Sequence, residues 1–97
     1  MVKHIVTFKL KGTDAERREA ATKFKDALLE LPAEIGVLES MEVGINENPS
    51  EVWDVVLTAV VPTMADVEVY AKHPAHVAAA SLIAHCKESR ACVDYEF

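Results

Sequence analysis

The chain lacks several features that would place it in common classes of protein. Two cysteines among 97 residues are too few for the disulfide framework of a small secreted domain, and a reducing, cytoplasmic setting is the simplest interpretation. Basic residues are in the minority, because 10 Lys and Arg stand against 16 Asp and Glu and give a net charge of −6. Nucleic acids and anionic membrane surfaces attract basic faces, so neither is an expected partner.

Long apolar runs are also missing. The two longest uncharged stretches, residues 55–65 and 75–86, are interrupted by proline or histidine and are too short to span a bilayer. No secretory signal pattern is visible, since a strand-like alternation begins at the first residues. Residues 1–97 are therefore expected to form a single domain, with no room for a second core.

Apolar periodicity predicts four strands and two helices. The strands are expected at residues 2–11, 37–45, 53–61 and 90–96. The first helix starts at a capping box over residues 13–16 and closes at Pro32. The second helix is split by Pro74, whose fixed φ suits a first helical turn, and extends to about Lys87. The order β-α-β-β-α-β predicts an α+β, ferredoxin-like fold with a four-stranded antiparallel sheet.

The third predicted strand is apolar on both faces over most of residues 52–61. In the ferredoxin-like plan the helices cover only one face of the sheet, and a half-solvated strand should alternate cleanly. We therefore expect the second face to meet another copy of the chain, in a homodimer that forms through the sheet face. The alternative is a monomer with an unusually apolar sheet.

The side chains best suited to chemistry lie in the segment His73-Pro74-Ala75-His76, with Tyr70 one turn upstream. Imidazole titrates nearest to neutral pH, so two histidines beside a tyrosine form a candidate acid/base cluster. His76 follows Pro74 at a helix N-terminus, where the partial positive charge favours the neutral imidazole that a general base requires. Tyr70 would orient His76 or donate to a developing enolate oxygen.

Each of these residues also has a structural interpretation. Tyr70 could be a core aromatic, and His76 could serve the restart of the helix. His73 precedes a proline and is expected to shape the turn. His4 lies alone on an apolar strand face, either as a core residue bonded to the backbone or as a donor to a ligand in a pocket.

A metal site and a cysteine nucleophile are both disfavoured by the sequence. His73 and His76, completed by His4 and a carboxylate, lack a diagnostic ligand spacing, so no metal is expected. Cys86 and Cys92 are expected to be small core fillers rather than nucleophiles.

Three motifs make the chain similar to the stress-responsive dimeric α/β-barrel (Dabb) domain family over nearly its whole length. They are the opening strand at residues 2–11, Tyr70 with the segment at 73–77, and the closing Val93-Asp94-Tyr95-Glu96. Their order and spacing are typical of the family. The resemblance implies a ferredoxin-like protomer that pairs sheet to sheet into a barrel.

One member of that family is a plant polyketide cyclase, which closes a ring in a linear polyketide thioester without a metal or organic cofactor. By this resemblance His76 is the acid/base residue, Tyr70 supports it, and His4 lines the pocket. The cyclase has a further pocket tyrosine on its first helix, where this chain offers Phe24, so a less polar pocket is implied. The predicted site thus consists of His76 and Tyr70 as catalytic residues, with His4, Phe24 and His73 as ligand-binding residues.

Two functions from different classes remain open. The first is a dimeric stress-responsive barrel that binds a small apolar or β-keto ligand between sheet and helices, without catalysis. The second is a cofactor-independent enzyme in which His76 removes a proton alpha to a carbonyl while Tyr70 and His4 hold the oxygen.

Overall fold

A computed structural model describes the whole chain, from Met1 to Phe97. The strands are β1 (Val2–Leu10), β2 (Ser40–Ile45), β3 (Val55–Val61) and β4 (Lys87–Glu96). The helices are α1 (Asp14–Leu29), α2 (Leu31–Glu34), α3 (Met64–Lys72) and α4 (Pro74–Ser81). All neighbouring strands run antiparallel, in the order β2-β3-β1-β4. This is the ferredoxin-like topology that the sequence predicts.

Hydrogen-bonded caps start the helices where the sequence predicts them. Thr13 accepts from the amide of Glu16 at 3.1 Å, while the Glu16 carboxylate accepts from the amide of Thr13 at 2.9 Å. Thr63 and Asp66 repeat this capping box at α3. No helix in the chain combines the length and the apolar content that crossing a membrane requires.

The boundaries of β2 and α4 differ from the prediction. β2 begins at Ser40 instead of residue 37, because α2 and a turn occupy the residues after Pro32. α4 ends at Ser81, well short of the predicted Lys87. Residues 82–86 form successive tight turns, in which most amides donate to the carbonyl oxygen three residues earlier. Their composition is compatible with a helix, so the sequence did not predict these turns.

The boundaries of the last two strands also moved. β4 starts at Lys87, three residues earlier than predicted, because Lys87 pairs with Leu10 across a register shift. β3 starts at Val55 instead of Trp53. Just before it, the amide of Asp54 donates to the carbonyl oxygen of Phe8, and the carboxylate of Asp54 faces Arg17 on α1.

One face of the sheet carries the core. β1 alternates as predicted, and all five residues on its inner face are buried: Val2, His4, Val6, Phe8 and Leu10. The predicted stripe of α1 packs on this face through Ala21, Phe24 and Leu28, whereas Leu31 reaches the core from α2. His4 is the only polar residue in the buried set.

The opposite face of the sheet is apolar and uncovered in the protomer. Val56 on β3 and Val93 and Tyr95 on β4 are exposed, Val93 by 63%, and Ile5 on the central strand is half-buried. We call this surface the outer sheet face. Apolar side chains on both faces of β3 therefore have different environments, one against the helices and one open.

Asp54 ties three separate elements together just before β3. Its carboxylate accepts the amide of Leu10 at 2.7 Å and the Nε–H of Arg17 at 3.2 Å, and its own amide donates to Phe8 at 2.8 Å. Leu10 ends β1 and Arg17 lies on α1, so one carboxylate links both to the end of the β2–β3 loop.

Asp54→Asn tests this anchor. An amide cannot accept from both donors without turning its NH₂ toward one of them, so we expect a loss of about 1–3 kcal/mol in the free energy of unfolding. The exposed Asp26 on α1 provides a matched control, and Asp26→Asn should change stability by less than about 0.5 kcal/mol. Urea unfolding measures both values, and equal stabilities of the two variants would contradict the anchoring role.

Candidate functional site

A carboxylate and an imidazole face each other across β1 and β4. Asp94 is the direct cross-strand partner of His4, and its Oδ1 lies 2.5 Å from His4 Nδ1. A carboxylate oxygen accepts, so His4 Nδ1 carries the proton and donates. His4 Nε2 is consequently an unprotonated acceptor whenever the ring is neutral. The ring is 6% exposed, and Asp94 fixes both its orientation and its tautomer.

Tyr70 lies beyond His4, between the sheet and the split helix. Its ring is 5.7 Å from the His4 ring in an edge-on arrangement and 4.6 Å from the His76 ring. The residue is 0% exposed, and its hydroxyl has no hydrogen-bond partner in the protein. Such an unsatisfied buried group costs about 1–3 kcal/mol. Burial raises the pKa of Tyr70 above its ordinary value, so the phenol remains a hydrogen-bond donor.

His76 presents a free nitrogen next to Tyr70. Its Nδ1 lies 2.9 Å from the carbonyl oxygen of Ala71, which can only accept, so Nδ1–H donates and Nε2 is the free acceptor. Burial lowers the pKa of His76 below its ordinary value, against the opposing effect of the Ala71 hydrogen bond, and the charges of His4 and Arg90 lower it further. His76 is therefore a neutral imidazole near pH 7, the state that the sequence favoured for a base.

The break between α3 and α4 determines where these rings lie. His73 has extended backbone angles (φ −62°, ψ 135°) and is both the C-cap of α3 and the N-cap of α4. Its Nδ1 accepts the amide of Ala75 at 3.1 Å, and Pro74 occupies the first turn of α4. This break brings Tyr70 at the end of α3 against His76 at the start of α4, while the His73 ring is engaged in capping.

Phe24 makes its aromatic contact elsewhere in the core. It packs edge-on against Phe8, with ring centroids 5.1 Å apart, and is 1% exposed. The structure thus brings together His4, Tyr70 and His76, which we call the Tyr70 cluster, and it gives Phe24 a packing role against β1.

Two of the clefts on the protomer surface have no predicted site residue in their lining. One, of about 560 Å³, lies between the start of α1 and the loop at residues 46–54. The other, of about 440 Å³, lies around Trp53 beside β2 and β3. The Tyr70 cluster lies outside both clefts, with His4 and Tyr70 buried and His76 half-buried.

Two members of the site escaped the sequence analysis. Asp94 was noted only as part of a closing motif, and Cys92 was expected in the core. Cys92 is in fact exposed, whereas Cys86 is buried as expected. Cys92 and Asp94 on β4 lie on the same face of the sheet as His4 on β1, and Cys92 Sγ is 3.5 Å from His4 Nδ1. The two-residue period of a strand indicates that Cys92 and Asp94 share a face. It does not indicate that His4 lies opposite them, because His4 is 90 residues from Asp94 along the chain.

The fold recurs in solved structures. A dimeric protein of unknown function with a ferredoxin-like fold from Bacteroides fragilis is 49% identical, and the match covers 99% of this chain and 95% of that chain with a TM-score of 0.96. A dimeric ferredoxin-like protein of unknown function from Thermobifida fusca is 24% identical, with coverage of 99% and 90% and a TM-score of 0.80.

More distant similarity extends to an antibiotic biosynthesis monooxygenase, which is 12% identical with a TM-score of 0.79 and shares the fold. That match covers 100% of this chain and 98% of the other. No curated protein matches the chain. The sequence pattern of the stress responsive A/B barrel domain, in contrast, matches residues 2–97. The chain therefore belongs to the stress responsive A/B barrel domain (Dabb) family.

Proposed function

We propose that this protein is a homodimer that binds a small carbonyl-bearing ligand at the Tyr70 cluster. The observation that carries the proposal is the Tyr70 hydroxyl, which is fully buried, protonated and without a partner, on a ring that lies close to two oriented imidazoles. Buried polar groups in folded proteins nearly always have a partner, and a ligand oxygen would provide one. The two free cysteines suit a reducing compartment such as the cytoplasm.

The outer sheet face is the surface through which the proposed dimer forms. Val56, Val93 and Tyr95 form an exposed apolar surface there, and packing of two such faces would remove it from water. The relatives from Bacteroides fragilis and Thermobifida fusca are described as dimeric, which supports the same assembly here.

The chemistry of the cluster favours a carbonyl oxygen as its ligand atom. The Tyr70 O–H donates a hydrogen bond and therefore needs an acceptor. No atom of the protein, including Nε2 of His4 and of His76, accepts this hydrogen bond, so a ligand oxygen can do so. The hydrophobic core to which Tyr70 belongs is mostly aliphatic, with Val6, Ala79 and Ile83 among its members, so the rest of the ligand would be small and apolar. A β-keto compound combines such an oxygen with an acidic α carbon.

A second candidate function is acid/base catalysis on that ligand, and the His76 tautomer favours it. Because Nδ1 donates to the Ala71 carbonyl, Nε2 is free to take a proton from the α carbon of the ligand. The electron pair of the broken C–H bond then forms a carbon–carbon double bond, and the π pair of the carbonyl moves to its oxygen. The resulting enolate oxygen would accept a hydrogen bond from Tyr70, which has no competing partner. One positioned histidine contributes on the order of 10²–10⁴ in rate.

The dimer is tested by Val93→Asp, which places a charge on the outer sheet face. The side chain is exposed in the protomer, so folding should be unaffected, while an unpaired charge buried between two sheets costs roughly 3–5 kcal/mol. Light scattering after size-exclusion chromatography should show a dimer for the unmodified chain and a monomer for the variant. Val69→Asp, on the exposed side of α3, is the matched control and should remain dimeric. A monomeric unmodified chain would contradict the proposal.

Tyr70→Phe separates a ligand-binding hydroxyl from a structural one. Removal of an unpartnered buried hydroxyl should leave stability unchanged or raise it by up to about 1–3 kcal/mol. The same change should weaken binding of a simple probe, ethyl acetoacetate, by about 1 kcal/mol, or roughly fivefold. Thermal unfolding and ligand-observed NMR measure the two effects. A large loss of stability would mean that the hydroxyl serves the fold.

The acid/base candidate predicts a particular pH dependence. The rate of deuterium exchange at the α carbon of ethyl acetoacetate, above the buffer rate, should fall as acid protonates His76. Because its pKa is lowered, the midpoint should lie below the ordinary value of 6.5, and the rate should be constant at higher pH. NMR titration of the His76 ring identifies the group. Full protein-dependent exchange in His76→Ala would exclude the histidine as the base.

A further inference from the structure

We propose that His4, Cys92 and Asp94 form a binding site for a divalent metal ion of the zinc type. One ligand atom from each residue lies within 4.8 Å of the other two. The three come from two adjacent strands, because Asp94 pairs directly with His4 and Cys92 lies two residues before Asp94 on the same face. From the sequence, this set of three residues was not considered as a metal site. The pair considered was His73 and His76, and neither of these belongs to the site proposed here.

Two of the three distances between the donor atoms are close to those of a tetrahedral ion. Cys92 Sγ is 3.5 Å from His4 Nδ1 and 3.7 Å from Asp94 Oδ2. Zinc bonds to sulfur, nitrogen and oxygen imply donor separations of about 3.4–3.6 Å at the tetrahedral angle. The third distance, 2.5 Å from His4 Nδ1 to Asp94 Oδ1, is that of a hydrogen bond, so the ion would replace the Nδ1 proton and the imidazole and the carboxylate would move apart to bind it.

The kinds of donor define the ion. Imidazole, thiolate and carboxylate together are borderline ligands, which suit Zn²⁺ and its spectroscopic substitute Co²⁺ better than Mg²⁺ or Ca²⁺. Two anionic ligands offset the charge of a dication, against the nearby Arg90 guanidinium. Cys92 is exposed, so water can reach the fourth position, as in open zinc sites. On binding, the thiol proton of Cys92 is released to solvent, and the imidazole changes tautomer, so that its single proton is on Nε2 instead of Nδ1.

Metal binding would also change the Tyr70 cluster. A neutral imidazole that ligates through Nδ1 carries its proton on Nε2, which changes that atom from acceptor to donor in a ring whose centroid lies 5.7 Å from that of Tyr70. The ion would therefore modify the hydrogen-bonding character of the cluster without touching Tyr70 or His76. The metal site itself does not depend on the proposed ligand or on catalysis.

Cobalt titration of the reduced, metal-stripped, untagged full-length protein tests the site. We expect one Co²⁺ per chain, with a sulfur-to-cobalt charge-transfer band and the intense visible bands of a tetrahedral ion, and we expect Zn²⁺ to displace it. Cys92→Ser should abolish the charge-transfer band and weaken binding by roughly tenfold or more. Asp94→Asn should weaken binding while the band persists.

Two controls exclude other cysteines and histidines. Cys86→Ser keeps a donor for the Ile83 carbonyl, and His85→Gln removes an exposed imidazole; neither should change the titration. Cys92 is exposed, so its variant should fold, and circular dichroism verifies this. A titration without a charge-transfer band, or a band that survives Cys92→Ser, would overturn the metal site. Neither result bears on ligand binding at Tyr70, since no ligand is present.

Discussion

The antiparallel pairing of β1 with β4 is the constraint on which the rest of the site depends. It joins the two ends of the chain, and its register places Asp94 opposite the buried imidazole of His4. A shift of one residue would turn Asp94 to the outer sheet face and leave the imidazole without its partner. The hydrogen bond to Asp94 fixes the His4 tautomer, and the orientation of that ring defines one wall around Tyr70.

The split helix supplies the other wall, and it does so through local chemistry. His73 and Pro74 end one helix and begin the next, so Tyr70 and His76 belong to different helices yet lie ring against ring. The Tyr70 hydroxyl lies in this enclosed space at a cost to stability, because no protein group satisfies it. A group that weakens the folded state and serves no packing purpose is typical of a binding site.

Much of this could be predicted from local patterns. The alternation of β1, the capping boxes at Thr13 and Thr63 and the restart at Pro74 all depend on residues close in sequence, and each was confirmed. The early end of α4 at Ser81 could not be predicted, because residues 82–86 contain neither glycine nor proline. Asp94 and Cys92 were missed as site residues for another reason: their roles depend on the register with a strand about 90 residues away, which periodicity within β4 does not reveal.

If the proposed function is correct, the Tyr70 hydroxyl is kept for a group that the protein does not supply. A high-resolution crystal structure would show this in the electron density around Tyr70 Oη. We expect an ordered water molecule or ligand oxygen within about 2.5–3.0 Å of Oη, on the side that faces His76. A hydroxyl bonded to a backbone or side-chain atom of the protein itself would contradict it.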